Sequence, residues 1–265
     1  MTILTVLFAG VFYLLATVHI ARQVRSGHGE RRALFLYAGG VAVLLHGAYI
    51  ARTLFTPDGI ELGLFSAGSL IGMLIALVAI VTSLFRPVAV LSVGAYPIAF
   101  LLLLLSALLQ DRYAPRHFAT GVGVHIVFSL LAYAVLAMAT VHAVLLAIQT
   151  RLFREHRVSV WLRALPPIQT MEAILFELIA FGFALLSLAI LAGLLYVDNF
   201  FAQHLVHKTV LTIAGWVALG ALLAGHHIAG WRGRTAVRLT VAAFILLAVA
   251  FFGSKFVLEM VLHRA

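Results

Sequence analysis

Long apolar runs constrain this chain more than any other feature. A helix needs about 20 apolar residues to cross the hydrocarbon core of a bilayer. Reading such runs between charged or Pro/Gly-rich breaks gives eight, at roughly 2–21, 33–52, 67–85, 88–108, 120–149, 170–195, 208–228 and 238–260. The connectors are too short for a soluble domain. The expectation is therefore one domain over residues 1–265, an all-α, polytopic transmembrane helix bundle with the lipid bilayer as its first partner. Composition agrees, with 64% hydrophobic and 10% charged residues and a mean hydropathy of +1.13. A soluble domain is about 45–50% apolar and about 25% charged. The fifth run exceeds what a bilayer requires and is expected to tilt or project. Pro97 falls inside the fourth and should kink it. Gly39, Gly40, Gly68, Gly72, Gly121 and Gly123 are expected to permit close helix contact.

The basic residues set an orientation. Arg22, Arg25, Arg31, Arg32, Arg86, Arg151, Arg154, Arg157, Arg163, Arg232, Arg234 and Arg238 follow runs one, three, five and seven, and make up 12 of the 18 basic residues. The opposite side keeps Arg52, Arg112, Arg116, Lys208, Lys255 and Arg264, interspersed with Asp58, Glu61, Asp111 and Asp198. The positive-inside rule puts the arginine-rich loops in the cytoplasm and both termini outside, an N-out/C-out topology in an inner membrane. The first run carries its positive charge after the apolar stretch, so it reads as a retained span and not a cleaved signal peptide. The net charge of +9 is accounted for by topology, and nucleic acid is not an expected partner. With no cysteine, disulfides, thiolate metal sites, thiol nucleophiles and covalent haem attachment are all excluded.

Histidines number 12 against 9 acidic residues, an unusual balance inside lipid. At about 1.5 Å per residue, His125 lies roughly 8 Å and His46 roughly 9 Å in from the outer ends of their helices, and His207 opens the seventh run. These three share an outer layer. A looser inner group holds His19, His142, His226 and His227, while His28, His117, His156, His204 and His263 fall in loops or at the terminus. An intramembrane imidazole is costly unless paired, and it marks a relay or a ligand set. Neutral imidazole is also the usual axial ligand of b-type haem, a cofactor that needs no cysteine. Ser129 and Tyr133 lie four and eight residues beyond His125 on the same helical stripe, where they would either support a ligating ring or serve interhelical hydrogen bonds. Both lysines of the chain, Lys208 and Lys255, sit at the outer boundary, against the charge trend. They suit haem propionates, or else snorkel to lipid phosphate. Glu172 falls at a helix start, where the dipole favours a carboxylate. Glu177 is deeper and needs a proton path or a partner, for which an inner histidine is the expected choice.

Two segments carry a family signature: HKTVLTIAGWVALGALLAGHHIAGWRGR at 207–234 and FFGSKFVLE at 251–259. Together with VHIVFSLLAYA at 124–134 and MEAILFELIAFGFALLSLAILAGLLY at 171–196, they resemble the integral-membrane cytochrome c assembly family, and within it a short, eight-helix, YpjD/HemX-like bacterial branch. The resemblance implies haem held by outer and intramembrane histidines. His125 matches the outer histidine, His226 the intramembrane one with His46 as its candidate partner, and His207 belongs to the HKT motif of the short branch. It also implies partners among cytochrome c maturation proteins, and it leaves a homo-oligomer open. One departure is clear. The larger haem-delivering members carry a Trp-rich outer loop, whereas YVDNFFAQHLV at 196–206 has no tryptophan, although Tyr196, Phe200 and Phe201 offer aromatic surface. The expected function is non-covalent handling of haem b on the outer side, iron being held by His125 with His207 or with His46, in cytochrome c assembly or haem homeostasis. No residue presents itself as a nucleophile or general base, so the reading leans against an enzyme. The rival readings are a transmembrane b-type electron carrier using both histidine layers, a proton-coupled transporter with Glu177 and His142 in a relay, and a haem-free assembly scaffold.

Overall fold

The long apolar runs of the sequence form helices. In the computed structural model this produces eight helices long and apolar enough to cross a membrane. The structure describes every residue except 1, 27–31, 87–88, 110–116, 157–164, 197–205 and 262–265. His28, His204, His263, Phe200, Phe201 and several loop arginines thus lie outside the described residues. The helices are α1 (Thr2–Ser26), α2 (Arg32–Thr53), α3 (Leu64–Phe85), α4 (Ser92–Leu108, entered through a short 3-10 turn at Ala89–Leu91), α5 (Thr120–Arg154), α6 (Ile168–Tyr196), α7 (Val206–Ala229) and α8 (Arg234–Ala248). The eighth span continues beyond α8 through a π-helical turn, Val249–Gly253, the short α9 (Ser254–Phe256) and a second π turn, Val257–Val261.

Several boundaries differ from the hydropathy reading for local reasons. α3 starts at Leu64, not near 67, because the Glu259 carboxylate accepts its first backbone N–H at 3.0 Å and so satisfies one of the donors a helix start leaves open. α5 runs 35 residues, about 52 Å at the helical rise, against about 30 Å of hydrocarbon, a length that a bilayer accommodates by tilt or projection. The α2–α3 connection holds a small antiparallel hairpin, Phe55–Thr56 with Gly59–Ile60. Pro57-Asp58-Gly59 makes its turn, and Gly59 takes the positive φ (131°) that a side chain would resist.

The bundle has two halves joined by α3, which packs on α2 and α4 in one and on α5 in the other. In the first, Tyr96 stacks on Phe35 at 5.6 Å between ring centroids and lies 5.5 Å from Tyr13. In the second, α5 and α6 form the most extensive helix pair, with Leu136, Met138, Met171, Ile174, Leu175 and Ile179 fully buried between them and their neighbours. α7 is the least enclosed span. The outward faces carry leucine, valine and phenylalanine, the surface a helix bundle shows to lipid. Of the glycines expected at close contacts, Gly39 lies against the Tyr96 hydroxyl and Gly121 against the Tyr196 ring, and Gly72 meets Leu102 and Ala99. Gly68 has ordinary clearance, whereas Gly40 and Gly123 face open space, because they point away from the helices their neighbours touch.

Candidate functional site

At the end of the bundle assigned to the outside, α5, α6, α7 and the π-helical part of the last span enclose a partly open cavity of about 190 Å³. His125, Ser129 and Tyr133 come from α5, Ala189 from α6, Lys208 and Thr212 from α7, and Phe251 and Lys255 from the last span. Each pair on one helix is four residues apart, the spacing that puts side chains on one face. The His125 ring is half-buried, and its Nδ1 lies 2.7 Å from the Ala189 carbonyl oxygen. A carbonyl only accepts, so Nδ1 carries the proton. That leaves Nε2 as the lone-pair nitrogen, and no described residue hydrogen-bonds to it. Metal-ligating histidines are held in this manner, the far N–H fixed by a carbonyl or carboxylate. The partner is a backbone carbonyl on α6, and not Ser129 or Tyr133. The Tyr133 hydroxyl instead donates to Leu247 O at 2.7 Å, where the π turn that follows loosens the carbonyl ladder.

Two ammonium groups flank the cavity. Lys208 Nζ lies 5.7 Å and Lys255 Nζ 5.9 Å from the centroid of the Phe251 ring, within cation–π range. Lys255 is tied further: it donates to the Leu62 carbonyl and pairs with Glu259 Oε1 at 3.3 Å. Lys208 has no hydrogen bond or ion pair from its ammonium to any described residue. Glu259, almost fully buried, and Thr212, bonded to Lys208 O, belong to this cluster. Both lie within the signature segments 251–259 and 207–234, but sequence alone singled out neither, although each stands four residues from a lysine.

The other two outer-layer histidines do not join His125. His46 is fully buried in the first half of the bundle, with Nδ1 3.2 Å from the Tyr13 hydroxyl and Nε2 2.9 Å from Ser69 Oγ. Both ring nitrogens are engaged, and α3 lies between this ring and the cavity. His207 is exposed on the first turn of α7 and does not line the cavity. It stands about 100° round the helix from Lys208. Equal depth therefore did not become convergence, because depth leaves each residue's direction round its helix undetermined. Among the described residues, no group of three or more His, Asp or Glu could hold a bare metal ion.

A family model described as "Cytochrome C assembly protein" matches residues 35–262. The chain belongs to the cytochrome c assembly protein family. It is similar to the inner membrane protein YpjD of Escherichia coli strain K12, at 32% identity over 259 residues, covering 96% of this chain and 98% of that one. The same figures hold for YpjD of Escherichia coli O157:H7. An uncharacterized 28.8 kDa protein in the nifR3-like 5′ region of Azospirillum brasilense is 34% identical over 178 residues, covering 65% of this chain and 62% of that one. No solved structure matches significantly. With eight spanning helices and these relatives, this family member is an inner-membrane protein.

The inner-end residues of this family member serve mainly as helix ties. The His226 ring stacks on Phe176 at 3.6 Å between centroids and donates from Nδ1 to Trp231 O at 2.9 Å, closing the α7–α8 turn. His19 bonds Gln23 on its own helix. His142 is buried and donates from Nε2 to Met171 O at 2.7 Å, leaving Nδ1 without a partner. Glu177 is exposed and pairs with Arg86 across α3 and α6, not with an inner histidine, so no hydrogen bond links it to His142. Glu172 does not open its own helix, which starts at Ile168 with no acidic residue in its first turn; it caps the start of α8 instead, accepting the Gly233 N–H at 2.9 Å. Neither a second haem layer nor a Glu177–His142 relay draws support from these contacts.

Proposed function

We propose that this inner-membrane family member holds b-type haem non-covalently at its outer cavity, in the service of cytochrome c assembly or haem homeostasis. The observation that carries the reading is the fixed His125 tautomer, with Nδ1–H committed to Ala189 O and Nε2 left for iron. The donor set fits haem: one imidazole, a mostly apolar lining, an aromatic ring, and two cations where propionates would emerge. At about 190 Å³ the cavity is smaller than a whole macrocycle, so one edge would enter and the rest lie toward its open side. Bound haem would supply an iron centre with a ligand position to exchange.

The roles divide by chemistry. His125 would hold the iron through Nε2. Lys208, with no counter-ion among the described residues, is the better propionate partner, because Lys255 already serves Leu62 and Glu259. For His207 also to hold the group, the first turn of α7 would have to rotate, because His207 is exposed and does not line the cavity. The lack of tryptophan in 196–206 argues for holding or passing haem, and not for presenting it to an apocytochrome. The test is the full chain purified in mild detergent from haem-supplied cells and assayed by pyridine haemochrome. The expected result is a Soret band and haem b that His125→Ala removes and His46→Leu keeps. A haem-free protein, or one unchanged by His125→Ala, overturns the proposal and leaves the scaffold reading.

A further inference from the structure

At the opposite end, the projecting tip of α5 and the start of α8 face each other across a groove of about 470 Å³. Ala147, Thr150, Arg151 and Arg154 line it from α5, and Arg234, Val237 and Arg238 from α8, each set three or four residues apart on one helix face. Four guanidinium groups meet one carboxylate, Glu155, which is taken up by Arg151 at 2.7 Å. No described carboxylate pairs with Arg154, Arg234 or Arg238.

Folding alone gives half of these arginines a reason. Arg151 and Arg154 occupy the last turn of α5, where the helix dipole favours cations. Arg234 and Arg238 stand in the opposite situation. They sit on the first turns of α8, whose own first turn holds no acidic residue; Glu172 of α6 reaches only the Gly233 N–H at that end, and two positive charges there work against the dipole. The positive-inside rule asks for basic residues on this side of the membrane, but it does not ask them to converge on one groove. An anion seated between the two helices removes the mutual repulsion among the arginines. The groove lies at the arginine-bearing end of α5, and Ala147 and Val237 give its wall an apolar part beside Thr150 and Gly233.

We infer that this groove is a binding site for an anionic phospholipid carrying two phosphates, of the diphosphatidylglycerol type, with its phosphodiesters between the arginine rows and its acyl chains toward the bilayer. Basic pockets between helices at the cytoplasmic interface take such head groups. The site is independent of the haem reading.

The test uses the whole protein, delipidated in mild detergent and followed by native mass spectrometry. Diphosphatidylglycerol should be retained at the highest collision energy, phosphatidylglycerol less, and phosphatidylcholine not at all. Arg234→Gln/Arg238→Gln should lower diphosphatidylglycerol retention roughly thirtyfold, at the usual worth of an arginine near a lipid surface. Arg154→Gln, in a helix end that stays intact, gives the same direction if the double variant fails to fold. Equal retention of phosphatidylcholine, or no change in any variant, overturns the site. Displacement of the lipid by free pyrophosphate at low concentration overturns the lipid assignment in favour of a soluble phosphate ligand.

Discussion

An imidazole in a membrane is defined by what engages its two nitrogens, and His125 and His46 show the two outcomes. His125 lines a cavity, with one nitrogen committed to a carbonyl and the other bonded to no described residue. His46 spends both on side chains, Tyr13 and Ser69. His46→Leu should therefore leave those two hydroxyl groups short of a partner and lower stability by about 1–3 kcal/mol, read as a lower unfolding temperature in detergent with the haem content unchanged. Lys208→Ala should act in the opposite sense. It removes a cation with no ion pair to any described residue, so stability should hold while haem dissociates roughly tenfold faster, measured by transfer to apomyoglobin. Glu259→Ala removes the acceptor shared by Lys255 and the Leu64 N–H. Breaking a buried pair costs about 3–5 kcal/mol, and thermal unfolding should report a loss of that order. His125 was legible in the sequence because its depth could be counted from an apolar boundary. Its carbonyl partner was not, since any residue on the facing helix could have supplied it. The Glu177–Arg86 pair was missed for a similar reason: the direction of Glu177 round α6 decided its partner, and depth alone could not.

At the scale of elements, hydropathy located every span, because about 20 consecutive apolar residues have no stable alternative to crossing the bilayer. What it missed were local devices: the Pro57-Asp58-Gly59 hairpin, the early start of α3 under Glu259 and the π turns of the last span. Each is decided by hydrogen bonds over a few residues, on which an apolar average is silent. The π turns matter to the site, since they set Phe251 and Lys255 on the cavity wall and leave Leu247 O for Tyr133. The α5–α6 pair is the scaffold that fixes His125 against Ala189, and its closeness depends on Gly182. A Cβ there would stand 2.6 Å from Leu136 Cδ2, and Leu136 is fully enclosed. Gly182→Ala should overpack the interface by about 1–3 kcal/mol and lower the unfolding temperature. Adding Leu136→Ala should recover part of that loss, because the added methyl then fills space the leucine vacates. A double variant no more stable than Gly182→Ala alone would mean that the two residues do not compete for the same volume.

The molecule as a whole separates its two sites by the length of α5, which carries His125 near one end and Arg151 and Arg154 at the other. That arrangement has functional sense only with a definite orientation. The proposed haem belongs on the outer side, and the proposed phospholipid at the arginine-rich groove belongs against the negatively charged inner leaflet. The positive-inside count predicts that orientation, and the absence of cysteine provides a clean background for testing it. Asp58 lies exposed in the α2–α3 hairpin and Arg232 exposed in the α7–α8 turn, at opposite ends of the bundle. An impermeant maleimide applied to spheroplasts should label Asp58→Cys directly, and Arg232→Cys only after the membrane is opened. The reversed pattern would turn the whole bundle over. His125 would then face the cytoplasm and the arginine groove the outer leaflet, and both the haem proposal and the phospholipid assignment would lose their physical basis together.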